Sequence, residues 1–137
     1  MTTPEAQSSA PAPKAKRRRW PVVIATLLIV PLLLFAIYTF FVATWSYSEG
    51  DRAGTLQKFS RKGWICKTYE GELALYIVGG VAPQIWHFTV RDESIVRQMS
   101  DAVGRKVQVH YSEHRGVPTS CFGDTPYWVD QVKVVTE

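Results

Sequence analysis

From Pro21 to Ala43 the sequence runs 23 residues without a charged side chain. No other feature restricts the fold as strongly. At about 1.5 Å per residue such a helix covers the roughly 30 Å hydrocarbon core of a bilayer. Pro21 suits a helix start, where its missing N–H costs little, and Pro31 predicts a kink of the kind membrane helices tolerate. Trp20 on one side and Trp45 with Tyr47 on the other are placed as interfacial anchors. A cleaved signal peptide is the competing reading. Its apolar core is about 7–15 residues and ends in a small-x-small site. This run is longer and "FVATWSY" is a poor cleavage site, which favours an uncleaved anchor over residues 20–45.

Charge sets the orientation. The block "KAKRRR" directly precedes the span, whereas Arg52, Lys58, Arg61 and Lys62 beyond it are dispersed among Glu49 and Asp51. The compact block is expected to stay in the cytoplasm and the C-terminal part to lie outside, which in a bacterium is the periplasmic side of the inner membrane. The formal charge of +4 comes entirely from the first twenty residues, because 11 cations and 11 acids balance from Glu49 onward. Residues 1–19, rich in Pro, Ala, Ser and Thr, read as a disordered tail that carries the topology signal. A lipid or nucleic-acid role for that tail is a weaker alternative.

Residues 50–137 read mostly as strands. "AGTLQKFS" (53–60) and "GWICKTYE" (63–70) are joined by the turn "RKG", and "GELALYIV" (71–78) follows directly, with Gly71 as a bulge or bend. "GGVAP" (79–83) is a loop. In "QIWHFTVR" (84–91), Trp86, Phe88 and Val90 alternate with His87 and Thr89. A helix capped by Asp92 places Ile95, Val96, Met99 and Val103 on one face and ends at Gly104. "RKVQVHY" (105–111) points Val107, Val109 and Tyr111 inward and Lys106, Gln108 and His110 outward. A turn-rich stretch, 112–126, leads to the last strand, "YWVDQVKVV" (127–135). Strand-strand-strand-helix-strand-strand is the order of the OB-fold, a small five-stranded barrel. An SH3-like barrel and an open α+β sheet remain as alternatives, because spacing does not give strand order.

The segments "SEGDRAGTLQKFSRKGWICKTYEGEL" (48–73), "WHFTV" (86–90) and "GDTPYWV" (123–129) resemble a family of short bacterial proteins with one N-terminal membrane helix. That family is marked by S-E-G-x-R-A-G, K-x-S-x-K-G, K-T-x-E-G-x-L, W-x-F-x-V and G-D-T-x-Y at matching spacing. The resemblance spans residues 48–129. It implies a membrane-anchored architecture and assigns no activity. Some members carry a 6-phosphogluconate dehydrogenase label, which these residues do not support: no G-x-G-x-x-G follows a strand and no βαβ unit fits. Cys121-Phe122 stands where the family has Trp-Arg before G-D-T.

The chemistry-bearing residues are few. Cys66 and Cys121, if exported, are permitted a disulfide; two separate thiols are the equal alternative, and a reactive thiol the minor one. His110, Glu113 and His114, with a third ligand from His87, Cys121 or Asp124, are a weak metal pattern beside the plainer reading of a solvated strand end. Glu70 and Glu72, at i and i+2, are expected to pair across strands with Arg61, Lys62 or Lys67 instead of acting as paired acid–base carboxylates. Asp124 and Thr125 before Pro126 read as a turn. Phe59, Trp64, Tyr69, Trp86, Tyr127 and Trp128 interleave with basic residues, a hint of single-strand nucleic-acid binding. Core and rim packing is the preferred use, and balanced charge and export disfavour nucleic acid as a partner. No catalytic constellation is found and no cofactor is expected.

The expected function is a membrane-anchored, non-catalytic binding or accessory module of the bacterial envelope. Its partners would be the bilayer and other envelope proteins. The candidate binding face comprises Arg61, Lys62, Lys67, Glu70, Glu72, Arg115 and Asp124. Apolar residues of the 59–73 tract are expected to face the barrel. Because few residues separate Trp45 from the first strand, Arg52, Arg61 and Lys62 are expected to meet lipid phosphates. A small metal- or thiol-dependent envelope enzyme and a structural subunit of a membrane complex are the alternatives. The span lacks a small-xxx-small pairing motif, which weighs against the last.

Overall fold

A computed structural model describes residues 19–75 and 82–136. The basic tail 1–18, residues 76–78 of the expected third stretch of strand and the glycine pair of the 79–83 loop lie outside the described residues. Helix α1, Trp20–Thr44, runs without interruption through Pro31, and none of its residues is buried. It is long and apolar enough to cross a membrane. The chain divides into two units, Met1–Leu34 and Phe35–Glu137, so the last turns of α1 group with the strands that follow.

Those strands are β1 (Ser48–Lys62), β2 (Thr68–Leu75), β3 (Gln84–Val90), β4 (Lys106–Glu113) and β5 (Tyr127–Val134), with α2 (Glu93–Asp101) between β3 and β4. They close into a barrel in the order β1-β2-β3-β5-β4. All neighbours are antiparallel except β3 and β5, which meet in parallel at Thr89↔Trp128 and Val90↔Val129. This is the OB-fold, and the SH3-like and open-sheet alternatives fall away. The long β1 makes closure work. Its first half pairs with β4, from Ser48↔Glu113 to Thr55↔Lys106, and its second half with β2, from Gly54↔Leu75 to Lys62↔Thr68.

Alternation along these strands fills the interior. Leu56, Leu73, Phe88, Val90, Val107, Val109 and Met99 have essentially no exposed surface. Each such side chain contributes about 1.5–3 kcal/mol on burial. Ile95, Val96, Met99 and Ala102 of the α2 segment join the same core. Asp92 caps α2 as expected, its carboxylate accepting from Ser94 N at 2.7 Å. The Ser94 hydroxyl and backbone bonds hold that carboxyl below its ordinary range.

Five local expectations need correction. First, the β1–β2 turn is not "RKG" but residues 63–67, so "GWIC" is no strand and Cys66 sits in the turn, not mid-strand. A bulge at Gln57, between the pairs Leu56↔Leu73 and Lys58↔Glu72, changes which side chains of β1 point inward and lets the strand run on to Lys62. Second, Trp64 and Ile65 therefore face solvent, not the barrel, and are fully exposed. Third, Gly71 is neither bulge nor bend; β2 passes through it unbroken. Fourth, α2 stops at Asp101, and Val103 is exposed while Ala102 takes the buried place. Fifth, Thr89, expected outward and polar, is completely buried.

Candidate functional site

The outer surface of β1, β2 and β3 carries the densest polar cluster. Beyond the Gln57 bulge, Lys58, Ser60 and Lys62 leave β1 outward. Opposite them stand Glu70 and Glu72 of β2, then His87 and Thr89 of β3, in the registers Ser60↔Glu70↔Thr89 and Lys58↔Glu72↔His87. The β4–β5 loop, residues 114–126, lies down across one end of this surface. Its backbone at Gly123 passes so close to Thr89 that a Cβ there would overlap that side chain.

Hydrogen bonds hold the loop in place. The Thr89 hydroxyl donates to Glu70 Oε2 at 2.7 Å, and the Asp124 N–H donates to Glu70 Oε1 at 3.1 Å. Thr125 N–H donates to Thr89 Oγ1 at 3.3 Å. The buried Glu70 carboxylate thus has partners for both oxygens, which offsets the cost of removing it from water. At the rim, Lys62 Nζ lies 3.0 Å from Asp124 Oδ2 and Lys58 Nζ 3.3 Å from Glu72 Oε1. The hydrogen bond to Asp124, with its charge, raises the Lys62 ammonium above the ordinary lysine range. Cys66 and Cys121 form a disulfide, Cα atoms 4.9 Å apart, that ties the β1–β2 turn to the β4–β5 loop. What remains open is a groove of about 400 Å³ lined chiefly by Lys58, Ser60, Lys62, Glu72, His87 and Asp124.

The expected binding face is split. Lys62, Glu70, Glu72 and Asp124 come together in the groove. The expected pairing of Glu70 and Glu72 with Arg61, Lys62 or Lys67 is replaced: Glu72 takes Lys58, and Glu70 takes Thr89 and the loop backbone. Arg61 turns to the other face of β1, its guanidinium 5.6 Å from the centre of the Tyr69 ring, which stacks on Phe59 at 6.0 Å. Lys67 is exposed at the base of the turn.

Arg115 belongs to a different locality, beside the end of α1. Its Nε donates to Glu113 Oε1 at 2.6 Å and its guanidinium lies 3.8 Å over the Tyr47 ring. The bond to Glu113 strengthens its hold on its proton. Next to it His114 stacks on Trp128 at 4.0 Å, and its Nδ1 donates to Val42 O at 3.1 Å. The Tyr38 hydroxyl donates to Gly116 O at 2.9 Å. Of the expected interfacial anchors, Trp20 and Trp45 are exposed on or beside α1, and Tyr47 is exposed under Arg115.

The Arg52 side chain turns onto aromatic rings of the barrel. It is half-buried, with its guanidinium 4.8 Å from the Trp86 ring and 5.4 Å from Tyr111. Of the six interleaved aromatics, Phe59, Tyr69, Trp86, Tyr127 and Trp128 pack in or against the core, leaving Trp64 alone as a free face. The weak metal pattern is dispersed: His110 bonds Asp51 at 3.1 Å, Glu113 holds Arg115, and Cys121 is in the disulfide. Among the described residues no three His, Cys, Asp or Glu side chains are placed to share a metal.

The "SRKG" segment and the 112–126 loop, both expected on the ligand face of an OB barrel, contribute Ser60, Lys62, Asp124 and Thr125, whereas sequence reasoning missed Lys58, His87 and Thr89 as parts of the groove. The phase change at Gln57 leaves no mark in the sequence, so β1 beyond it cannot be assigned a face. Thr89 carried a signal, alternation that placed it with His87 on the face opposite Trp86 and Phe88, without any sign of what would cover it.

No curated protein matches the chain. Two crystal structures of the mitochondrial single-stranded DNA binding protein Rim1 from S. cerevisiae are similar at 10% and 13% identity, each with a TM-score of 0.49. They cover 66% and 64% of this chain and 96% and 95% of their own. Residues 45–135 match the family model described as Domain of unknown function (DUF8785), which takes in the whole barrel, and the chain belongs to that family.

Proposed function

We propose that this protein is a membrane-tethered, non-catalytic binding module of the bacterial cell envelope, with α1 in the inner membrane and the barrel on its outer side. The observation that carries the reading is the Cys66–Cys121 bridge. It joins the two loops that flank the ligand face of an OB barrel, in a chain whose apolar helix follows a basic block. Structural disulfides persist in oxidising compartments, which accords with a barrel outside the cytoplasm. The groove beside the bridge offers two ammonium groups and carboxylates already paired with one another. Such a surface suits a polar partner of mixed charge, an envelope protein segment, that exchanges ion pairs with it. A nucleic-acid partner would need a basic track and stacking rings along the groove. The groove lining has no basic track, since its charges are mixed, and it holds no Phe, Tyr or Trp ring.

The test has two readouts in intact cells. A reporter that is active only in the cytosol, fused after Glu137, is expected to stay silent. A photoreactive residue at Ser60, in the open part of the groove, is expected to capture a discrete partner. Reporter activity overturns the compartment, and a groove that captures nothing overturns the binding role.

A further inference from the structure

The turn between β1 and β2 presents Trp64 and Ile65 side by side with their surfaces fully in solvent. A flexible loop would fold two such side chains back onto the barrel. This one is held out. Gly63 has φ 128°, and a Cβ there would strike the Cys66 carbonyl, while the Cys66–Cys121 bridge fixes the far leg of the turn. From Arg61 to Lys67 the segment carries Arg61, Lys62 and Lys67 and no acid. Lys62 is engaged with Asp124, whereas Arg61 and Lys67 are exposed beside the two apolar side chains.

The strand registers bound the distance of this turn from the end of α1. Ser112 pairs with Trp128, Trp128 with Thr89, Thr89 with Glu70, and Glu70 with Ser60. Four inter-strand steps of about 4.8 Å put Ser60 within about 20 Å of Ser112. Just beyond Ser112, His114 and Gly116 bond to Val42 and Tyr38 in the last turns of α1.

We propose that the Trp64–Ile65 tip is a second membrane contact: it docks in the headgroup region of the bilayer that holds α1, with Arg61 and Lys67 on lipid phosphates. Tryptophan is at home at that depth, and cations beside it gain from anionic headgroups. The tether makes the contact intramolecular, so a weak intrinsic affinity suffices. Two attachments to one bilayer fix the direction in which the groove faces. The inference rests on the membrane placement of α1 given above. It is favoured over a protein partner because the charged residues of the 61–67 segment are all positive and α1 keeps a bilayer within reach.

The full chain, reconstituted in mixed phosphatidylcholine and phosphatidylglycerol vesicles, provides the test. Trp64→Phe alters an exposed side chain and is compatible with the same fold. The wild-type emission minus that of the variant isolates Trp64. This difference is expected to be blue-shifted and quenched by lipids brominated on the acyl chain. A difference centred at the wavelength of water-exposed indole and quenched by aqueous iodide overturns the proposal. A blue-shifted difference untouched by bromolipid also overturns it, in favour of a second copy or another protein. The residual emission of the variant includes Trp20 and Trp45. If that too is untouched by bromolipid, the membrane placement of α1 fails and takes the tip with it; if it is quenched, only the tip is at issue.

Discussion

Gly71 stands in mid-strand, where glycine is poorly suited, and the Phe88 ring explains it. The two residues are cross-strand partners, and the ring lies across the glycine so closely that a methyl group would overlap three of its atoms. Phe88 has no exposed surface and stacks on Trp86 at 5.3 Å, so it has nowhere to retreat. Gly71→Ala is therefore expected to destabilise the barrel by about 1–3 kcal/mol, the usual cost of overpacking, despite the better strand propensity of alanine. Urea unfolding followed by near-ultraviolet circular dichroism measures it, and an unchanged midpoint would mean the ring is free to move. The sequence marked Gly71 as out of place but not why, because the reason is a ring contributed from another strand. Alternation was more informative: it identified Trp86, Phe88, Val90, Val107 and Val109 by position alone, since a sheet with one buried face imposes a period of two.

At the scale of elements, the β4–β5 loop is shaped by what it covers. Between its anchor at Gly116 and its return to the barrel at Tyr127 it is bonded to β2 through Asp124, to β3 through Thr125 and to the β1–β2 turn through Cys121. The bridge closes a sequence separation of 55 residues, which in the chain-entropy model restricts the unfolded state by about 4 kcal/mol. Replacing both cysteines by serine is expected to lower stability by an amount of that order and to expose the segment around Arg115 to limited proteolysis before the strands are cut. A double variant with unchanged thermal midpoint and unchanged cleavage would show that the polar contacts alone hold the loop. The barrel class was legible from element order, and Asp92 from its place before a helical period. The turn at 63–67 was not, because the Gln57 bulge lengthens β1 beyond its apparent end and a bulge depends on pairing, not on local composition. The candidate site suffered most from this, since the faces of Lys58, Ser60 and Arg61 all follow from the bulge.

For the molecule as a whole, the barrel and the apolar helix meet different demands, yet the last turns of α1 serve both. The core cluster contains no α1 residue, so a chain beginning at Trp45 is expected to fold in water as a β protein with its disulfide closed. That chain lacks the Val42 carbonyl that accepts from His114 and the Tyr38 hydroxyl that donates to Gly116. Two net hydrogen bonds amount to about 1–3 kcal/mol. Thermal unfolding in one mild detergent, comparing it with a chain beginning at Phe35, should give the longer chain the higher midpoint. Equal midpoints would mean that α1 does not brace the β4–β5 loop, and a short chain without a cooperative transition would mean that the barrel is not an independent fold. The higher midpoint matters for mechanism. The loop that starts against α1 is the loop that ends over the groove, so whatever fixes α1 also fixes one wall of the candidate site.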